Sequence, residues 1–123
     1  MTLRLLQALA LLALSSSTSF ADMSKATSRS AGSLFAAALQ CEDRDLITRG
    51  QTRHLLEKLQ PYLSIRNRRW LREGLAEGTR RAAVYVVQQK NWVEFSADPA
   101  GCERVQAVLD DYRAALIGDA PKT

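Results

Sequence analysis

The chain has 123 residues, a formal net charge of +4, two cysteines and one histidine. This length suits one domain with a modest hydrophobic core. With no CxxC motif and so few potential ligands, the composition excludes a typical zinc site, and no glycine-rich phosphate loop is present.

The N-terminus has the organisation of a cleavable signal peptide. A single basic residue precedes an apolar run over 5–14, and the small residues Ser19 and Ala21 stand three and one positions before the predicted cut. A membrane anchor is the alternative, but the run is about half the ~20 residues that a spanning helix needs. We predict a signal peptide over 1–21, cleaved between Ala21 and Asp22, and a soluble periplasmic product.

The first half of the remaining chain predicts two helices. Residues 22–31 are rich in Ser, Thr and Lys and predict a flexible lead-in. The strong helix formers that follow predict a first helix ending at Cys41. A second helix spans Leu46 to Leu59, with Asp43 or Asp45 as its cap and Gly50 as its weak point.

Two longer helices follow. The first runs from Ile65 to about Lys90 with Ser64 as its N-cap, and Gly74 and Gly78 allow close approach of another helix. The run 83–87 is β-prone, so a short strand is the alternative there, but its place in a helical pattern favours helix.

Residues 91–95 are predicted to form a connection between helices. Asp98 is the predicted N-cap of a last helix that begins at Pro99 and ends at Gly118. The predicted fold is all-α: a compact four-helix domain over 32–118, followed by a C-terminal tail over 119–123.

Cys41 and Cys102 predict a disulfide between the first and last helices, because an even pair in an exported protein favours a bridge over a catalytic thiol or a metal ligand. The loop it closes is worth about 4 kcal/mol on the chain-entropy model. His54 is the one possible imidazole base and has no paired carboxylate motif. We predict no catalytic residue, no metal, no cofactor and no enzymatic activity.

Basic residues concentrate in the middle of the chain. Between Arg44 and Arg81 there are ten basic residues and four acids. This excess of positive charge suits binding to an acidic partner or an anionic surface. Because the protein is predicted to be exported, we do not expect nucleic acid to be that partner. The alternative is a solvated helix face with the tryptophan at the rim of the core. The candidate partner-binding residues are Arg66, Arg69, Trp70, Arg72 and Arg80.

An alanine-rich first helix ending at Cys41, the sequence QQKNW over 88–92, and a last helix from Cys102 to Leu116 resemble the small helical pilotins of type II secretion. The resemblance covers most of residues 31–118. It implies a disulfide-stapled periplasmic protein that binds a helical segment of the outer-membrane secretin. Such pilotins are typically lipoproteins, and this signal peptide ends without a cysteine for acylation.

Two functions follow as hypotheses. The first is a non-enzymatic periplasmic protein, pilotin-like or chaperone-like, that binds an envelope or secreted protein. The alternative is an exported inhibitor or immunity protein that blocks a toxin or hydrolase. Neither requires a transmembrane span or nucleic acid, and both leave the oligomeric state open.

Overall fold

The computed structural model describes residues 23–119, with side chains through residue 117. Four helices and one two-stranded antiparallel sheet make up this part of the chain. The predicted signal peptide, its cleavage site and most of the predicted C-terminal tail lie outside the described residues. In chain order the elements are α1 (Lys25–Asp43), α2 (Gln51–Leu59), a 3₁₀ turn (Gln60–Tyr62), α3 (Ile65–Arg81), β1 (Ala83–Val86), β2 (Asn91–Glu94) and α4 (Pro99–Asp119).

The first helix begins earlier than the sequence predicts. Ser24 is its N-cap, and its hydroxyl accepts a hydrogen bond of 3.1 Å from the backbone N–H of Thr27. Ser28 and Ala31 are almost fully buried. The prediction of a flexible lead-in over 22–31 is therefore wrong for residues 25–31. Their small side chains, which read as linker composition, allow α1 to pack closely on α3.

Glycines hold α1 and α3 in backbone contact. A Cβ atom added to Gly32 would lie 2.7 Å from the backbone nitrogen of Leu75. One added to Gly74 would lie 2.8 Å from the Cα atom of Arg29, and one on Gly78 would overlap α1 in the same way. All of these distances are shorter than carbon atoms tolerate. The predicted close approach at Gly74 and Gly78 is confirmed, with Gly32 as its counterpart on α1.

The second helix is shorter than predicted and has a different cap. It starts at Gln51, after Gly50 takes a left-handed conformation with φ of 87°. Neither Asp43 nor Asp45 caps it. The buried carboxylate of Glu42 instead accepts hydrogen bonds from the backbone N–H groups of Gly50, at 2.7 Å, and Thr52, at 2.9 Å.

Two opposing effects set the pKa of this capping carboxyl. Burial raises the pKa of Glu42, while hydrogen bonds from Thr52 and Gly50, with the charge of Arg49, lower it. The net pKa is below the usual glutamate value, so the carboxylate stays ionised at neutral pH. It then supplies acceptors for N–H groups that have no partner within α2.

The third helix ends at Arg81, and the prediction that it continues to Lys90 is wrong. Ala82 adopts a left-handed conformation with φ of 50°, and a hairpin follows in which Tyr85 lies opposite Trp92. The β-prone run after residue 82 forms β1 because it packs against α1. There the hydroxyl of Ser33 accepts a hydrogen bond of 2.9 Å from the backbone N–H of Tyr85. The fold is thus mostly helical but not all-α.

The predicted start of the last helix and the predicted disulfide are confirmed, but α4 continues through Gly118 to Asp119. The carboxylate of Asp98 accepts a hydrogen bond of 2.7 Å from the backbone N–H of Gly101, which caps the start of α4. Cys102, in the first turn, is bonded to Cys41 near the end of α1, and both are fully buried. The core forms between these two helices and extends to α2, α3 and β1. No helix in the described range is long and apolar enough to cross a membrane.

Replacing Gly74 with Ala tests the contact between α1 and α3. Alanine favours a helix over glycine by about 1 kcal/mol, so an open site would gain stability. We expect Gly74→Ala to lose about 1–3 kcal/mol through overlap with Arg29 of α1. Urea unfolding measures the change, and Thr79→Ala, on the exposed side of α3, is the control. A Gly74→Ala protein as stable as the parent would refute the close contact.

Removing the disulfide tests its contribution. The bridge spans 61 residues of sequence, so the chain-entropy model predicts a loss of about 4 kcal/mol in the Cys41→Ala, Cys102→Ala double variant. Equilibrium urea unfolding under non-reducing conditions measures the free energy of unfolding. A loss below about 1 kcal/mol would mean that the bridge stabilises the native fold far less than its loop length implies.

Candidate functional site

The exposed side of α3 carries most of the predicted partner-binding residues. Arg69 and Arg80 lie within about 60° of Arg66 around the helix axis. Trp70 is half-buried at the edge of this face. Arg72 lies about 120° from Arg66. It is exposed and lies about 60° from Arg69, as far as Arg69 lies from Arg66, so the four arginines spread over one broad face with Trp70 at its edge.

Three arginines lie over aromatic rings at this side of the molecule. The guanidinium carbon of Arg66 is 5.1 Å from the ring centroid of Trp70, one turn away on α3. The same distance separates Arg29 from Tyr85 and Arg81 from Trp92. All three lie within the range of a cation–π interaction.

The β-hairpin joins two of these pairs. Tyr85 and Trp92 are opposite each other in the sheet register, and their ring centroids are 5.4 Å apart with an interplanar angle of 66°. This is an edge-to-face arrangement, which favours the aromatic pair beyond simple area burial. The order of contacts is therefore Arg29, Tyr85, Trp92 and Arg81, which runs from α1 across the hairpin to the end of α3.

A cleft between α1 and α3 connects this array to Trp70. Its volume is about 360 Å³. Trp70 and Arg29, which belong to different arginine–aromatic pairs, both line it, so the three pairs form one continuous surface. We call the three pairs and the cleft the arginine–aromatic surface. The cleft is lined by Lys25, Arg29, Trp70, Glu73, Ala76 and Glu77.

Glu77 pairs with two arginines near the end of α3. Its carboxylate accepts hydrogen bonds of 2.8 and 2.9 Å from Arg80 and of 2.8 Å from Arg81. The hydrogen bonds from Arg80 and then Arg81 lower the pKa of the Glu77 carboxyl to about 2. The carboxylate stays charged through neutral and mildly acidic pH, so it offsets one of the two arginine charges and leaves a net charge of +1 on these three side chains.

Other cations near the cleft have no acidic partner. Lys25, Arg29 and Arg66 form no ion pair within residues 23–119. No hydrogen bond to a carboxylate involves them in that range either. Five cations thus surround a cleft whose lining holds two carboxylates, Glu73 and Glu77, and the unpaired cations lie on its α1 side and at the start of α3.

Of the six residues in the three pairs, sequence reasoning found Arg66 and Trp70 and missed the other four, Arg81 among them. Arg29 fell in the segment read as a flexible lead-in, and Tyr85 and Trp92 were assigned to a helix and a connection. One local signal was available: Ser24, followed by Thr27, is a typical helix start. The spacing of Ser28 and Gly32 also matches that of Gly74 and Gly78 on the partner helix.

The groups considered for chemistry remain isolated. His54 is exposed on α2, and both cysteines are consumed by the disulfide. Among residues 23–119, no three His, Cys, Asp or Glu side chains are grouped closely enough to hold a metal ion.

No protein-family model, curated protein sequence or solved structure matches this chain.

Replacing Arg80 with Ala tests the electrostatics of this surface. Arg80 is the largest cause of the low pKa of Glu77, so we expect Arg80→Ala to raise that pKa from about 2 toward the ordinary value of 4.5. NMR titration of the side-chain carboxyl measures it, and Arg69→Ala, an exposed arginine on the same helix, should leave it unchanged. A titration midpoint near pH 4.5 for Glu77 in the unaltered protein would contradict its pairing with Arg80 and Arg81.

Proposed function

We propose that this chain is an exported, non-enzymatic protein that binds a partner protein through its arginine–aromatic surface. The observation that carries the proposal is the alignment of three arginines over three aromatic rings around one cleft. Arginine, tryptophan and tyrosine are the residues most enriched among those that dominate binding energy at protein interfaces.

The rigidity of the surface supports this role. Each guanidinium lies over a ring, and Glu77 holds Arg80 and Arg81. Side chains ordered before binding lose less entropy when the complex forms. Arg66 and Trp70 are neighbours on one helix, while Arg29 and Tyr85 are held together by the contact of α1 with α3 and β1. Arginines that were only solvated would not require contacts with aromatic rings or with Glu77.

Several features support export. The N-terminal pattern is that of a secretory signal, and the buried Cys41–Cys102 bridge suits an oxidising compartment such as the periplasm. Within that compartment, a pilotin-like or chaperone-like envelope factor agrees with a small helical domain that offers one rigid binding surface. Export also disfavours nucleic acid as the partner.

Site-specific crosslinking tests the proposal. We expect a photoreactive amino acid at Ala76, which is exposed and lines the cleft, to crosslink to one defined protein in the cells that export this chain. The control carries the same amino acid at Arg53, exposed on α2, and should not form that product. Mass spectrometry then identifies the partner: an envelope or secretion protein supports the proposal, while a toxin or hydrolase supports the inhibitor alternative.

Identical crosslinked products from positions 76 and 53, or no product from position 76, would refute binding through this surface. Both positions are exposed, so neither replacement disturbs the core.

A further inference from the structure

We infer that the partner inserts an acidic segment into the cleft between α1 and α3, with carboxylates on Lys25, Arg29 and Arg66 and an apolar side chain against Trp70. This inference rests on the proposed function and specifies the chemistry of the partner. It follows from the balance of charge around the cleft.

The cations at the cleft differ in whether they are already paired. Arg80 and Arg81 share the carboxylate of Glu77, so one of their two charges is already offset and part of their hydrogen-bonding capacity is used. Lys25, Arg29 and Arg66 have no carboxylate partner in the described part of the chain. A partner that supplied carboxylates would form ion pairs with these three cations, whereas a basic partner would be repelled by them.

Aromatic rings lie against two of the unpaired arginines, Arg29 and Arg66. A guanidinium that lies over an aromatic ring keeps its N–H groups in its own plane, and these groups match the two oxygens of a carboxylate. Arg66 is held this way by Trp70 and Arg29 by Tyr85. Because the rings restrain both guanidinium groups, fewer rotamers are lost on binding than for free arginines.

The lining of the cleft also determines where the carboxylates and the apolar side chain of the partner segment can bind. Glu73 and Glu77 line the same cleft as Lys25 and Arg29, so carboxylates are excluded from the wall formed by the middle of α3. The ring of Trp70 and the methyl group of Ala76 also line the cleft and give it an apolar surface. This arrangement suits an apolar side chain flanked by carboxylates, which is the pattern of an acidic peptide segment.

Binding is tested with two synthetic peptides and charge-reversed proteins. The first peptide contains glutamate, phenylalanine and alanine, and the second has glutamine in place of each glutamate. We expect the glutamate peptide to bind at least about tenfold more tightly at low ionic strength by fluorescence anisotropy. Added salt should weaken it, because exposed charges are screened.

The protein variant Lys25→Glu, Arg66→Glu should lose at least about tenfold in affinity for the glutamate peptide. Both positions lie in the first turn of a helix that has no acidic residue there. Glutamate is favourable at such a position, so the variant should melt no lower than the parent. Loss of binding then cannot be attributed to unfolding.

Arg53→Glu is the control for charge reversal at a helix start outside the cleft, and it is compared with the single variant Arg66→Glu, which makes the same change of charge. Arg53 lies in the first turn of α2, and α2 does not line the cleft. Its affinity for the glutamate peptide should stay within about twofold of the parent.

Three results would overturn the inference. The first is equal affinity for the two peptides, and the second is an equal loss of affinity for the glutamate peptide in Arg53→Glu. The third is that the protein co-sediments with phosphatidylglycerol vesicles but does not bind the glutamate peptide. The last would identify an anionic lipid surface as the occupant. Failure of the proposed function gives a different result from failure of this inference, because it is seen as the absence of a crosslinked product from position 76. A partner crosslinked there through a segment without acidic residues would refute only this inference.

Discussion

The backbone contact between α1 and α3 is the constraint on which the rest of the structure depends. Gly32, Gly74 and Gly78 leave no room for a Cβ atom between the helices. This closeness brings Arg29 of α1 beside Trp70 of α3, so that both line one cleft. The same glycines that tighten the core therefore position the candidate binding surface, and a larger side chain at this contact would widen the cleft as it destabilised the fold.

The hairpin extends this surface because α3 stops early. If the helix continued past Arg81, Tyr85 would follow the helical turn and could not lie opposite Trp92 in a sheet. The left-handed conformation of Ala82 turns the chain back, and the hydroxyl of Ser33 accepts the hydrogen bond from the N–H of Tyr85. The two rings then support Arg29 and Arg81. An arginine held in this way has already lost part of the rotamer freedom, worth up to about 2 kcal/mol, that binding would otherwise remove.

Charge pairing divides this surface into two parts with different roles. Glu77 binds both Arg80 and Arg81 and offsets one of their two positive charges, so the end of α3 carries paired side chains with a reduced net charge. Lys25, Arg29 and Arg66 stay unpaired at the other side of the cleft. A surface with apolar rings, a region of paired charge and a few unpaired cations can select a partner by charge as well as by shape, because the wrong charge is repelled.

The sequence by itself determined the features that depend on neighbours along the chain. Ser64 and Asp98 cap their helices through groups three residues away, and Arg66 meets Trp70 one turn later on the same helix. The Cys41–Cys102 bridge was also predictable, because these are the only two cysteines. Only the tertiary structure decided the capping of α2 by Glu42, the strand at residues 83–86, and the meeting of Arg29 with Tyr85. Each depends on residues that are distant in sequence: the helical pattern near residue 85 was overridden by packing on α1, and the small residues near 28 became helical because α3 covers them.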